Sequence, residues 1–460
     1  MKLKLLSLSV MAIGACGVLP TQALASGYNF GSQSVSAQGT AHANGAEAAD
    51  PSTIYYNPAG MTLLDGDQIT VGGTLVAPHS SYTDNGSKTA FGASTGGGNG
   101  GSFVPTAVAA PNLYMTHQLN DRIHLGLGIF VPYGAQLDYG DSWAGRYSIE
   151  SIKLQTLNFN PSISYKLDDH QSFGFGVSAQ YMKANLKKAV DVKDEFTAAA
   201  LLGQAGAAAL AAATTGDGTA SLNASGWGYG YNFGYLFQVD DHTRFGFAYR
   251  SKIKTNLSGT ATWDYSQAGG AAVQAAANSV HATSGASTTV DTPQSASVNF
   301  YHDLNDKVAV MGDITWTGHS AMNDIDIQFA QANEGDMVIN EKWKNSWLFA
   351  LGANYKYSDQ LMLRTGIAYD QSPVSSETVT SPALPDGDRY WLSLGANYKL
   401  TKQSSIDFAY SFVYVKPVNV NYVDVCSGSL NCAYTGNGET TKGSYKTYLQ
   451  LIGLAYNYRF

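Results

Sequence analysis

The sequence predicts an all-β fold, a transmembrane antiparallel β-barrel of about fourteen strands plugged by an N-terminal hatch. Three observations carry that prediction. In the last segment Ile452, Leu454, Tyr456, Tyr458 and Phe460 share one face, and Gly453, Ala455, Asn457 and Arg459 share the other. Side chains alternate across a strand, so one face is apolar and aromatic and the other small or polar. The same alternation recurs along the chain, with connections that are short and long in turn. Finally, an export signal precedes a chain with no apolar run of the ~20 residues a spanning helix needs, which leaves lipid as the neighbour of the apolar faces.

Taken from the N-terminus, Lys2 and Lys4 precede an apolar run from Leu5 to Leu19 and then Ala23-Leu24-Ala25. This is the pattern of a signal peptide, residues 1–25. Ile13-Gly14-Ala15-Cys16 offers a rival, lipoprotein-type site, which fits less well than the small-residue site downstream. Export to an oxidising compartment makes Cys426 and Cys432 a disulfide pair closing a small loop in preference to metal ligands. The composition agrees: 13% of residues are charged, with 49 Gly and 29 Tyr. The net charge of -8 argues against a nucleic-acid partner.

Residues 26–67 are Ser-, Ala- and Gly-rich with little alternation, and contain Tyr55-Tyr56-Asn57-Pro58-Ala59-Gly60. Compact non-strand chain ahead of the first strand reads as a hatch inside the lumen; the alternative, a disordered tail, is opposed by the Tyr pair and the Pro turn. The barrel then occupies 68–460, with strands expected near 68–78, 109–119, 122–132, 154–167, 171–184, 226–239, 243–258, 290–302, 306–317, 343–357, 360–370, 388–400, 404–416 and 446–460. Tight turns such as Asn120-Asp121, Asp240-Asp241 and Thr401-Lys402 alternate with loops such as 133–153, 185–225 and 417–445. The Ala-rich stretch Ala198–Ala213 reads as a helix within one of those loops.

Alternation also assigns faces. Phe245, Phe247, Tyr249 and Ile253 are expected toward lipid, with Arg244, Arg250, Lys252 and Lys254 in the lumen. Tyr390, Leu392, Leu394 and Tyr398 are expected outside, with Arg389, Ser393 and Asn397 inside. Arg364, Lys344, Asp313 and Asp407 also come out lumenal, and most such charges pair to hold the wall.

Enzymatic readings find little support. Gly92-Ala93-Ser94-Thr95-Gly96 satisfies the G-x-S-x-G pattern, but it lies in a Gly/Ser/Asn-rich loop and not at a strand-to-helix elbow. His117 and His124 flank a turn as an expected cross-strand pair without the further ligands a metal needs. No catalytic residue, metal site or cofactor is expected.

Asn57-Pro58-Ala59, together with WGYGYNFGYLFQVDDHTRFGFAYRSKIK at 227–254, LRTGIAYDQSPV at 363–374 and PDGDRYWLSLGANYKL at 385–400, resembles the FadL-type outer-membrane transporters of fatty acids and other hydrophobic compounds. The resemblance covers essentially the whole mature chain. It implies a monomeric, hatch-plugged barrel in the outer membrane of a Gram-negative bacterium, passing hydrophobic ligands by passive diffusion. Ligand would be caught in an apolar groove among the extracellular loops, move to a deeper site above the hatch, and leave sideways through the wall into lipid. Lys183 and Lys344 align with the family's carboxylate-binding pair, although Lys183 shares parity with outward Phe173, Phe175 and Tyr181 and needs a bulge or strand end to turn inward. Tyr28 matches the aromatic residue that the family inserts near the deep site. The side gap is expected in strand 122–132, where Gly126 and Gly128 would permit a kink. Trp143, Tyr147, Leu201 and Leu202 match the loop groove by position. A long-chain fatty acid is the expected cargo, an aromatic hydrocarbon of toluene or xylene type the alternative, and a general diffusion porin is opposed by the hatch.

Overall fold

The computed structural model describes residues 28–322, 324–331, 337–424 and 438–460. The segment 1–25 and both Cys426 and Cys432 lie outside them. One antiparallel sheet holds nineteen ladder segments: β1 (Gln68–Asp84), β2 (Val108–Gln118), β3 (Ile123–Phe130), β4 (Gly134–Asp138), β5 (Ser151–Lys166), β6 (Gln171–Val190), β7 (Gly218–Gln238), β8 (Thr243–Arg250), β9 (Ile253–Asp264), β10 (Ser284–Thr292), β11 (Ser295–Asn305), β12 (Val308–Thr317), β13 (Asp324–Phe329), β14 (Met337–Asn340), β15 (Ser346–Lys356), β16 (Leu361–Asp370), β17 (Arg389–Lys399), β18 (Ser404–Val423) and β19 (Thr440–Arg459). β3 with β4, β8 with β9 and β10 with β11 are halves of bent wall strands. β13 and β14 form a hairpin beyond the β12–β15 ladder. The wall is therefore a closed barrel of fourteen strands. Closure is through β1, where Val71 pairs with Leu113 of β2 on one side and Tyr456 of β19 on the other. A closed sheet leaves no unpaired strand edge in hydrocarbon.

Most wall strands fall where alternation places them, and the faces of β17 and β19 follow. Ile452, Leu454 and Tyr456 are exposed on the outside, while Leu451 and Ala455 are buried. β17 presents Tyr390, Leu392, Leu394 and Tyr398 outward and buries Arg389 and Ser393. Several strands run longer than the sequence indicates, β6 to Val190 and β18 to Val423, because the ladders continue past the span that needs apolar residues.

Two expectations are corrected by register. Asn232 pairs with Arg250, yet Gly228 pairs with Thr255, so one extra residue enters between β8 and β9. A single-residue bulge exchanges the two faces. Ile253 is consequently buried inside and Lys252 and Lys254 are exposed, the reverse of the sequence reading. The second concerns the turn histidines: His117 pairs with Leu125. His117 is exposed on Asp67 (2.8 Å), whereas His124 is buried with Nε2 3.1 Å from the Leu64 carbonyl.

Inside the wall, residues 28–67 form a compact hatch with two short helices, α1 (Val35–Gly39) and α2 (Thr53–Tyr56), and a 3-10 turn at Pro58–Leu63. The loop helix expected at 198–213 is two helices, α3 (Val192–Leu201) and α4 (Ala207–Ala213), parted at Gly203 and Gly206, both at positive φ. With α5 (Ala271–Val280) they bury a small core of their own around Val192, Phe196, Tyr265 and Val273.

Candidate functional site

The hatch is fixed to the wall by local chemistry. Asn57 caps the 3-10 turn, its side-chain oxygen accepting the Ala59 N–H (3.1 Å), and Pro58 fills the first position, where no N–H is needed. The Asn57 amide donates to the Tyr235 carbonyl of β7 (3.1 Å). Gly174 and Gly234 face this segment across β6 and β7. A Cβ at either would overlap the Ala59 and Asn57 atoms, so the wall is bare of side chains where the Asn57-Pro58-Ala59 backbone presses on it.

Below that seat the lumen is polar. Arg364 donates to Glu47 of the hatch (2.9 Å) and lies 3.9 Å from Asp407, all three buried. Asn354 also donates to Glu47 (2.6 Å), and Asp313 accepts the Gly45 N–H (3.0 Å). Arg244 donates to the Glu47 carbonyl (2.8 Å) and covers the Tyr301 ring at 4.0 Å. Glu47, Arg364, Asp407, Asn354 and Arg244 line a cavity of about 480 Å³ on the far side of the hatch. Buried charges held this way are costly to separate.

Above the hatch the lumen is apolar. Tyr28 is fully buried, its ring 5.1 Å from Tyr133 and 5.8 Å from Trp343. Its hydroxyl donates to the Asp291 carbonyl (3.1 Å). Leu154, Met182, Leu257, Val290 and Met322 complete this layer, and the same cluster continues through Ala135, Leu137, Tyr139 and Trp143 toward Tyr82, Phe103 and Tyr445. Tyr139 stacks on Trp143 at 4.0 Å and on Phe103 at 4.4 Å. An apolar column thus runs from the loops to the hatch.

The wall is interrupted beside the floor of this column. β2 pairs with β3 only from Leu113↔Ile129 to Gln118↔His124, and β4 pairs with β5 alone. Between β3 and β4, the backbone of 132–134 pairs with the hatch instead: Phe30 N–H donates to the Pro132 carbonyl (2.8 Å) and Gly134 N–H to the Tyr28 carbonyl (2.8 Å). Pro132 cannot donate to a ladder, which fits a strand leaving its neighbour here. Gly126 and Gly128 precede the break and serve packing: a Cβ at Gly126 would strike Met61 and Ile54, and one at Gly128 the Tyr114 ring.

The two lysines are placed differently from the sequence reading. β6 stays in register with β5 and β7 past Lys183, so Lys183 keeps the outward parity of Tyr181 while Met182 and Ala184 point in. Lys344 precedes β15, which starts only at Ser346, and its side chain is exposed. Glu341 and Trp343 take the interior positions instead. The structure therefore does not gather Lys183 and Lys344 around the column. Glu341 is buried and one carboxyl oxygen lacks a partner; burial pushes its carboxyl up to about 8, tempered by Trp343 and Ser381. Tyr28 is likewise raised well above its ordinary value by burial.

The four loop residues do not form one groove either. Trp143 is in the column, donating to the Ile149 carbonyl (2.7 Å). Tyr147 is buried against Arg146 and Asp217 (2.8 Å to each). Leu201 and Leu202, 62% and 58% exposed, lie at the end of α3. Tyr133 and Tyr139, which flank β4, and Met182 of β6 are not legible as a set because the two segments are distant in sequence. Pro132 inside a predicted strand was the available signal for the break.

A barrel plugged by a bolted hatch, with an apolar column above it, defines a membrane channel for hydrophobic compounds. Residues 16–460 match the family model of outer membrane protein transport proteins (OMPP1/FadL/TodX), and the chain belongs to that family. It is 35% identical over 455 residues to the putative outer membrane protein NMB0088 of Neisseria meningitidis, covering 95% of each chain. It is 29% identical over 430 residues to the long-chain fatty acid transport protein of Escherichia coli, covering 90% of this chain and 93% of that one. Among solved structures, a FadL homologue of Pseudomonas aeruginosa superposes with a TM-score of 0.84 at 26% identity, covering 94% of this chain and 99% of that one. The protein is an outer-membrane protein of a Gram-negative bacterium, of a family of transport proteins.

Proposed function

We propose that the protein carries long-chain fatty acids passively, as a monomer, from the extracellular loops to the chamber at Tyr28 and out through the wall beside Pro132. The observation that carries this reading is the apolar column ending on a bolted hatch next to an interrupted β2–β3 ladder. An acyl chain stays in apolar surroundings along that path, whereas passage through the hatch would break the Glu47–Arg364 pair and enter a polar cavity. Outward Lys183 and exposed Lys344 leave the column without either cation, which favours an aromatic hydrocarbon as the second reading.

Uptake of labelled oleate and labelled toluene by cells with intact outer membranes, with and without this chain, separates the two. Oleate uptake that depends on the chain supports the fatty-acid reading. Toluene uptake alone overturns it. A disulfide at the wall break, Asn112→Cys with Phe130→Cys, which share the inward face one step beyond the Leu113↔Ile129 pair, tests the exit: oleate uptake should fall under oxidation and recover under reductant, and unchanged uptake in the cross-linked protein would refute the lateral route.

A further inference from the structure

Arg250 is the last residue of β8, on its inward face, with Tyr133 of the chamber among the tyrosines that act on it. Its guanidinium lies 4.7 Å above the Tyr55 ring and 5.5 Å from Phe130, the last residue of β3 before the wall break. It donates to the Tyr55 carbonyl (3.1 Å) and to Ser178 Oγ (3.4 Å). A guanidinium carries five N–H donors, so most remain unused. No carboxylate pairs with it among the described residues. The charges that act on it most strongly are those of Tyr55, Tyr133 and Tyr114, while His42, Asp313 and Asp370 border the same cavity. The other lumenal arginines differ: Arg364 is held by Glu47 and Asp407, Arg389 by Asp386 and Asp370, and Arg244 has Glu47 and Asp303 near it.

Arg250 also lines a cavity of about 120 Å³ between hatch and wall, shared with Asn29, Tyr55 and Asn232. Of the two acids bordering that cavity, Asp370 is held by Arg389, and Asp313 accepts the Gly45 N–H through one oxygen while its other oxygen has no partner among the described residues. A half-buried guanidinium with free donors, aromatic walls and no paired counter-charge is built to receive a planar anion in a two-pronged contact. The volume suits a carboxylate head with water and is too small for an acyl chain, which has the apolar column above.

We propose that Arg250 is the carboxylate receptor of the deep site, seating an anionic amphiphile head-down on the hatch with its chain in the column around Tyr28, Tyr133 and Met182. This rests on the fatty-acid reading and places the head beside the wall break, where the alkyl chain faces lipid on departure.

The test is equilibrium binding of myristate and of tetradecanol, equal in chain and differing in charge, to the purified full-length barrel. Arg250→Gln should weaken myristate about tenfold or more and leave tetradecanol within about twofold, and Arg250→Lys should fall between. Equal loss of both ligands, or no loss of either, overturns the proposal while the fatty-acid reading stands. Failure of wild-type protein to bind either ligand overturns both. Should Arg250→Gln not yield a heat-resistant barrel, carboxyl-labelled myristate on wild-type protein decides by NMR. Its bound carboxyl should stay ionised below the pH at which free myristate protonates; titration at or above the free value refutes the assignment.

Discussion

The two halves of the lumen are built on opposite principles. On the far side of the hatch, Glu47, Arg364, Asp407, Asn354 and Arg244 form a hydrogen-bonded polar floor. On the near side, Tyr28, Tyr133, Trp343, Met182 and Leu257 pack with few polar contacts. Paired buried charges resist rearrangement, because separating them strands each in a low dielectric. Apolar contacts are non-directional and are replaced by a hydrophobic ligand at little loss. The lower half is thus suited to staying shut and the upper half to being occupied, and a hydrophobic cargo is turned toward the wall.

The largest effect expected from breaking this contrast is in the lower half. Arg364→Ala leaves Glu47 and Asp407 buried without their cation, at a cost of about 3–5 kcal/mol. Urea unfolding in lipid vesicles should show that loss, and Glu47→Gln in the same chain should recover part of it. Single-channel recording offers a second readout: a loosened hatch should add ion conductance. Stability and conductance equal to wild type would mean that the floor does not hold the hatch.

An upper-half change should register in ligand affinity. Trp343→Ala opens the layer between Tyr28 and Met322 and leaves Ser381 as the group tempering Glu341, whose carboxyl burial already pushes up to about 8. Myristate and tetradecanol should both weaken about tenfold, equivalent to about 1.4 kcal/mol, with conductance unchanged. Conductance that rises as in Arg364→Ala would erase the distinction between the halves.

Much of this organisation was legible in the residues, and the exceptions share a cause. The period-2 pattern placed the wall strands and the faces of β17 and β19 because lipid on one side enforces alternation residue by residue. Pro58 marks a turn within the segment ahead of the first strand, and the structure adds the Asn57 cap. Interruptions were not legible. The added residue between β8 and β9 exchanges Ile253 with Lys252 and Lys254, and no composition marks it. Extending β15 backward from Ser346 gave Lys344 a parity it does not have. Arg250 was correctly placed in the lumen. Its lack of a counter-charge depends on where Asp313, Asp370 and Glu47 are held, which only the packed hatch decides.

The smallest expected effect concerns the two lysines, and it tests the comparison most finely. Lys183 lies on the outer face of β6, where a long aliphatic stem can run along the wall and put its ammonium in water. Lys344 is exposed ahead of β15. Neither touches the column, so Lys183→Ala and Lys344→Ala should each change oleate uptake by less than about twofold and stability by less than about 0.5 kcal/mol, as ordinary surface substitutions do. If either instead lowers oleate uptake tenfold while sparing toluene, the carboxylate is recognised nearer the mouth than the floor. The upper half would then contain a charge-selecting step, and the division into a polar lock and an apolar chamber would have to be redrawn with that lysine at its entrance.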